Sequence, residues 1–417
     1  MSQYAFIGER DYRAFAGGSW PTFAEFQAGV QAQDPEIQNE IESFVSMMQQ
    51  TFQEIHQPTE KLAADNQVRQ GQTFFNKNYM PNGCRVPWTT LGINANGNAF
   101  ICLSPSWIPK YVGNILETED IWQLLNSTTA QQIRQEVYHG RYYYCNNQIC
   151  SFFAGVKPAD YTAQNGSDTE PLPFESRPEY QVHEIPRDLI FDFDYTCNFH
   201  CPSCRTAVAN NNKNHIVRTM NDQIVERIKT EIIDRVGTQP INIRWAQGEP
   251  FISEPYLELF RYIAEVNKPN IKHTIHTNGS YLKSKKDLLA KLLPSTRELR
   301  ISFDAATAET YADVRRGGVW EILLDNVIWV KRYIEENNLA TQITADFVVQ
   351  RLNYKEIPAF EQLCKQLGIQ HIQYQKMWNW GTWPTQEFHD HNVYNRNHSE
   401  YPELIRIFRS IGKNIVE

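Results

Sequence analysis

The sequence predicts an α/β protein with a parallel sheet, and three observations carry that reading. From residue 188 onward, six apolar strand-like runs alternate with helical patterns, the arrangement of βα units joined by right-handed crossovers. Ahead of them, cysteines at 84, 102, 145 and 150 mark a smaller α+β unit. The first 80 residues are rich in Gln, Glu and Ala with apolar residues at helical spacing, which predicts a helical cap.

Composition sets the outer limits. A chain of 417 residues suffices for two or three domains, and 41% apolar with 21% charged residues suits a globular protein. No apolar run approaches membrane-spanning length, and Met1-Ser2-Gln3-Tyr4 lacks a basic region followed by a hydrophobic one, so a cytoplasmic protein without a membrane partner is expected. A net charge of −8 without clustered Lys and Arg argues against nucleic acid as a partner. Eight cysteines in such a chain point to metal or redox chemistry rather than disulfides. Cys364 stands apart from the others, on an apolar helix face with Phe360, Leu363 and Leu367, and reads as a core thiol.

Taken in order, Ile37, Ile41, Phe44, Met47 and Met48 give the cap at 1–80 its helical spacing. A winged-helix module for peptide recognition would need an early β-hairpin, and no alternating strand pair stands there. The segment 81–154 runs from Cys84-Arg85-Val86-Pro87-Trp88 through Gly97 to Cys102, then Val112-Gly113-Asn114, a helix over 121–137, and Cys145 to Cys150. Two cysteines on a hairpin and two on a tight loop can converge on one metal centre, zinc or iron–sulfur. Five prolines among polar residues mark 155–187 as a linker. Strands are expected at 189–195, 241–245, 271–276, 299–303, 341–349 and 369–374, and Trp320, Leu323, Val327, Val330 and Ile334 give one intervening helix a clear apolar stripe. A C-terminal extension covers 385–417.

Directly after the first of these strands, Cys197, Cys201 and Cys204 stand at C-x3-C-x2-C. Three thiolates cannot close a tetrahedral site, and an ordinary cluster takes four, so the trio implies a cluster with one open position. Gln247-Gly248-Glu249-Pro250 follows the second strand and Thr277-Asn278-Gly279 the third. On the fourth, alternation puts Ser302 and Asp304 on one face. Tyr311, Arg315, Gly317 and Gly318 then form Y-x3-R-x-G-G. Met377 to Pro384 carries three indoles that could line a groove or pack on the cap.

In this order and spacing the segments resemble the radical S-adenosylmethionine (radical SAM) superfamily. The resemblance implies a partial (β/α)6 TIM-like barrel over 188–384, with a [4Fe-4S] cluster on Cys197, Cys201 and Cys204 whose fourth iron is chelated by SAM. It further implies that Gln247, Gly248 and Glu249, in the place of the family's GGEP motif but with Gln for its first glycine, receive the SAM amino group, that Ser302 binds the ribose, and that Arg315 meets a carboxylate. Ser203 stands where an aromatic residue is common. The first cysteine group is similar to the SPASM/Twitch extension, here placed before the barrel, and four cysteines imply the Twitch form with one auxiliary [4Fe-4S] cluster on Cys84, Cys102, Cys145 and Cys150.

Relatives of this kind mostly mature ribosomally made peptides (RiPPs) by hydrogen abstraction with a 5′-deoxyadenosyl radical. Excision of tyramine to leave an α-keto-β-amino acid, the splicease reaction, is one reaction the resemblance suggests. Epimerisation, thioether formation and C–C crosslinking are the alternatives, and a non-catalytic zinc-binding interaction protein is the alternative of another class. The implied partners are a precursor peptide, a separate small leader-recognition protein and a reductant such as flavodoxin or ferredoxin. The sequence assigns no catalytic acid, base or hydrogen donor.

Overall fold

The computed structural model describes residues 84–138, 142–146, 150, 180–379 and 382–413. The expected cap at 1–80, most of the expected linker and Trp380 lie outside the described residues. The described residues fall into two compact units, one drawn from those within Met1–Phe193 and Asn214–Ile241 and the other from those within Asp194–Lys213 and Asn242–Glu417.

In the first unit, α1 (Val86–Thr89) begins with a proline in its first turn and leads into β1 (Thr90–Asn94). β2 (Asn98–Phe100) folds back antiparallel on β1, β3 (Gly113–Asn114) adds antiparallel to β2, and β4 (Asp188–Asp192) runs parallel to β1 on its other side. Gly92 makes the hairpin possible, because a Cβ there would sit 2.0 Å from the Phe100 ring. Asn114 explains the Gly-Asn pair: its Nδ2 donates to Asn96 O at 2.7 Å and its Oδ1 accepts from Leu116 N at 2.9 Å, which satisfies buried backbone groups on both sides.

The single helix expected over 121–137 is two, α2 (Ile121–Leu125) and α3 (Thr128–Tyr138). Local hydrogen bonding wins over helical periodicity here. The Asn126 amide donates to Val182 O at 2.9 Å and accepts from Val182 N at 2.8 Å, while Ser127 Oγ caps the new helix by accepting from Ala130 N at 3.2 Å. Arg134 of α3 is fully buried, donating to Pro87 O, Leu125 O and Tyr180 O at 2.8 to 2.9 Å; burial lowers its pKa to about 10. α4 (His215–Ile228) closes this unit, its Arg227 donating to Thr118 O at 2.7 Å.

The second unit alternates strand and helix: β5 (Ile241–Trp245), α5 (Glu254–Val266), β6 (Ile271–Thr277), α6 (Lys286–Leu292), β7 (Thr296–Ser302), α7 (Ala308–Val314), α8 (Trp320–Glu336), β8 (Gln342–Val349), α9 (Ile357–Leu367) and β9 (His371–Lys376), then α10 (Thr385–His391) and α11 (Tyr401–Ser410). The strands lie in the order β5-β6-β7-β8-β9, and β6 to β9 run parallel, as the alternation predicts. Ser253 caps α5 by accepting from Tyr256 N, and Asn267 ends it in the left-handed region at φ 49°.

The two faces of this sheet differ. Register sets His276 beside Arg300, Arg300 beside Thr344 and Ser302 beside Asp346, so with Thr274 and Glu298 they share one face. The opposite face carries Ile275, Leu299, Ile301, Ala345, Phe347 and Val349, all fully buried. Helices cover the apolar side: Phe260 of α5 lies 4.6 Å from Trp245 and Phe360 of α9 lies 4.8 Å from Phe347, between ring centroids. Strands covered on both faces ordinarily read as apolar throughout. Here the second face is charged and internally paired, with Arg300 Nη2 at 2.7 Å from Asp346 Oδ1 and Thr344 Oγ1 donating to Glu298 Oε1 at 2.6 Å.

Candidate radical and iron–sulfur sites

The cysteine loop is anchored by Asp194, a fully buried carboxylate. It accepts from Thr196 Oγ1 at 3.0 Å, from Asn211 Nδ2 at 2.9 Å and from Ser253 Oγ, so both ends of the loop and the cap of α5 share one anion. Cys197 N donates to Ala209 O at 2.8 Å, and a turn from Cys201 O to Cys204 N at 2.9 Å brings the last two cysteines side by side. All three thiols are free. Cys197 and Cys201 are buried and Cys204 is half-buried. Burial pushes the Cys201 thiol up to about 11 and raises Cys197 against the nearby Arg205 cation, so a metal taking these sulfurs must displace their protons.

The second loop rests directly on the first. Gly248 has φ 65°, and a Cβ on it would stand 2.5 Å from Thr196 O, a backbone atom that cannot yield; Glu249 N donates to that same oxygen at 2.7 Å. Glu249 is 0% exposed, and its carboxylate accepts from Thr277 Oγ1 at 2.8 Å, Asn278 N at 2.7 Å and Phe251 N at 3.2 Å. Burial raises its pKa against those three bonds. This carboxylate therefore ties the second loop to the third. The third loop returns to the cysteines, since Asn278 Nδ2 donates to Asn198 Oδ1 at 2.9 Å and Asn198 Nδ2 to Ser280 Oγ at 3.2 Å.

Ser302, partly exposed, ends β7, but the expectation that Asp304 shares its face is not met. Asp304 has φ 58°, so alternation stops before it. Its Oδ1 accepts from Val348 N at 2.7 Å and its Oδ2 pairs with Arg315 Nη1 at 3.3 Å. The carboxylate that Arg315 meets here is thus the chain's own. Arg315 also lies over the Phe199 ring at 5.6 Å, and its Nε is buried without a hydrogen-bond partner among the described residues. The glycines of its segment explain its placement: a Cβ on Gly318 would be 2.6 Å from the Tyr311 ring and 2.9 Å from that of Phe199, and Arg316 O accepts from His200 N at 3.0 Å.

The polar sheet face adds residues that the sequence reading did not single out. His276 Nδ1 is 4.0 Å from Asp346 Oδ2, and its Nε2 is buried without a partner among the described residues. Burial, with Arg300 and Arg244 nearby, holds this imidazole well below its usual pKa and hence neutral. The polar–apolar alternation of Glu298-Leu299-Arg300-Ile301-Ser302 was the available signal. In the indole run, Trp378 is exposed and Trp383 stacks on His391 with centroids 4.3 Å apart. Cys364 is fully buried in α9, its thiol pushed up to about 12 by burial.

In the first unit, Cys84, Cys102, Cys145 and Cys150 line one cavity with Val86, Trp107, Ile108 and Tyr142. α1 begins two residues after Cys84, Cys102 follows the β1–β2 hairpin, and Cys145 N and Cys150 N donate to Tyr142 O and Asn146 O at 2.9 Å each. Burial raises Cys84 and Cys145 above the ordinary thiol range, and the other thiols of the group raise both further. Among the described residues, no three His, Cys, Asp or Glu side chains stand so as to hold a single metal ion. The donor sets nonetheless fit iron–sulfur groups: all-thiol and in no disulfide, in a shared cavity in one case and beside an orphaned guanidinium nitrogen in the other.

Residues 193–357 match the family model of the radical SAM superfamily, and residues 84–151 match that of SPASM, an iron–sulfur cluster-binding domain. No curated protein matches the chain. Among solved structures, Streptococcus suis SuiB is 17% identical with a TM-score of 0.32, over 59% of this chain and 51% of its own. An archaeal TYW1 is 18% identical with a TM-score of 0.27, over 49% and 64%. anSMEcpe with bound AdoMet is 15% identical with a TM-score of 0.33, over 46% and 51%. The chain thus spans between 51% and 64% of the length of these three structures.

Proposed function

We propose that the chain, with its matches to the radical SAM superfamily and to an iron–sulfur cluster-binding domain, is a radical SAM enzyme with an auxiliary cluster that modifies a ribosomally made precursor peptide. The observation that carries this reading is the cysteine loop: three free thiols on a loop locked against the Gly248 and Asn278 loops, with Arg315 beside it. When bound, the [4Fe-4S] cluster and SAM supply a 5′-deoxyadenosyl radical that takes a hydrogen atom from the substrate. Cys197, Cys201 and Cys204 would hold the cluster, and Gln247, Gly248, Ser302 and Arg315 would line the place for SAM.

Glu249 would stand with them. Its carboxylate accepts from Thr277, Asn278 and Phe251, which ties the second loop to the third and leaves acceptor capacity on its two oxygens. Cys84, Cys102, Cys145 and Cys150 would hold an auxiliary [4Fe-4S] cluster with four protein ligands. The match of 84–151 to an iron–sulfur cluster-binding domain favours a polynuclear group over one zinc ion in this cavity.

A peptide substrate is the class that the resemblance to SPASM-bearing maturases implies, and the SPASM match supports it. Tyramine excision to an α-keto-β-amino acid is the reaction proposed, ahead of epimerisation, thioether formation or C–C crosslinking. A separate small protein would present the leader segment, because ordering a flexible peptide costs about 2–5 kcal/mol, and flavodoxin or ferredoxin would supply electrons. Anaerobic reconstitution with iron and sulfide, followed by assay of 5′-deoxyadenosine and mass spectrometry of a co-expressed precursor peptide, tests the reading. A colourless zinc protein that makes no 5′-deoxyadenosine rejects it. Tight leader-dependent binding by this chain alone rejects the separate partner.

A further inference from the structure

The residue after the third cysteine, Arg205, joins the two ends of the cysteine loop. Its Nη1 donates to Tyr195 O at 2.7 Å and its Nη2 to Cys204 Sγ at 3.7 Å. A planar guanidinium can make both bonds at once, whereas an ammonium offers no such fixed fork. The sulfur it reaches is the half-buried one of the three, where water would otherwise compete for the lone pairs. The thiols of Cys204, Cys197 and Cys201 all act electrostatically on this cation.

The second arginine near the trio differs in one respect. Arg315 is paired with the Asp304 carboxylate, which offsets its charge, while no carboxylate pairs with Arg205 among the described residues. Of the two arginines that act on these sulfurs, Arg205 is thus the one whose charge no carboxylate offsets among the described residues. A cluster gains one negative charge when it is reduced, so a fixed cation and an N–H donor to a ligating sulfur stabilise the reduced state and raise the reduction potential.

We propose that Arg205 is a positioning residue for the cluster on Cys197, Cys201 and Cys204: it clamps Cys204 to the start of the loop and raises the potential at which that cluster accepts an electron. The inference rests on the proposed radical SAM reading. It assigns to Arg205 the ease with which a protein electron donor reduces the site.

The test is a potentiometric titration of the full chain, reconstituted anaerobically and followed by electron paramagnetic resonance. The cluster whose signal changes on adding SAM belongs to the trio, and the other serves as an internal reference. In Arg205→Gln the SAM-responsive midpoint moves to more negative potential while the reference stays in place. 5′-Deoxyadenosine formation driven by reduced flavodoxin falls by a larger factor than formation driven by excess dithionite. Arg205→Lys, which keeps the charge and loses the fork, moves the same midpoint in the same direction by less. An unchanged SAM-responsive midpoint in Arg205→Gln overturns the inference, and so does an equal movement of both signals. If Arg205→Gln does not retain iron at the trio, Arg205→Lys decides: a midpoint below wild type supports the inference and an unchanged one overturns it. A wild-type chain without any SAM-responsive signal overturns the parent reading, and this inference with it.

Discussion

The three-thiol loop and the four-thiol cavity use the same ligand atoms in opposite surroundings. Around the trio, Arg205 donates to Cys204, Arg315 acts on Cys201, and a backbone N–H from Phe199 points at Cys197 Sγ at 3.5 Å. Around the quartet, burial acts most on Cys84 and Cys145 and the other thiols raise both further, with one backbone hydrogen bond from Val86 to Cys84, within walls formed by Val86, Trp107 and Ile108. Nearby cations favour added negative charge, and an apolar cage of mutual repulsion does not. On the proposed reading, coordination number and electrostatics agree: the three-thiol set is the one with cations beside it.

The strongest way to break this contrast is to remove the trio. Replacing Cys197, Cys201 and Cys204 together with Ala should abolish 5′-deoxyadenosine formation while iron remains at the quartet, as iron analysis and product assay would show. Residual 5′-deoxyadenosine would contradict the assignment of the trio. In that same variant, the remaining cluster should keep its spectrum when SAM is added, because four thiols leave no open iron. A SAM-dependent shift there would mean that one of the four cysteines is not a ligand.

A milder substitution sharpens the contrast by acting on one side only. Gly248→Ala places a methyl against Thr196 O in a backbone conformation that L residues rarely adopt, a strain of about 1–3 kcal/mol. SAM affinity should fall roughly tenfold or more by equilibrium dialysis, with the auxiliary cluster untouched; unchanged affinity would show that the two loops need not touch. The smallest effect concerns acid. His273 is fully buried in the second unit, accepts from Trp245 Nε1 at 3.2 Å, and is lowered to about 4 by burial and then by Lys272. Its folded pKa lies below the unfolded value, so its contribution is present above pH 6.5 and is lost as pH falls from 6.5 toward 4. Between pH 7.5 and 5 the loss is about 2 kcal/mol. His273→Asn should show a correspondingly smaller fall in Tm over that interval, and an identical fall would assign the acid sensitivity elsewhere.

Local pattern explains what was legible. β5 to β9 announce themselves through alternation and branched residues, so their expected positions differ from those observed by three residues or fewer at either end. The trio is legible because all its ligands lie within eight residues of one loop. What alternation cannot register is a change of backbone sign, as at Asp304, or side chains that claim backbone groups far away, as Asn126 does with Val182. Glu249 was recognisable as a motif residue, but its engagement with Thr277 and Asn278 depends on the third dimension. Arg205 carried no signal at all, since its contact with Tyr195 follows from the path of the loop rather than from any spacing.

The contact of Gly248 and Glu249 with Thr196 O bears on the order in which the protein matures. That carbonyl belongs to the cysteine loop, while its donor lies about fifty residues downstream, beyond β5. The loop is therefore shaped by a long-range contact, and such contacts form late because chain closure must precede them. A short peptide containing only the C-x3-C-x2-C stretch would lack the carboxylate of Asp194 bound to Ser253 and the abutting second loop. The cradle around these thiols is therefore complete only once the chain has folded through β6 and brought the second and third loops against the first.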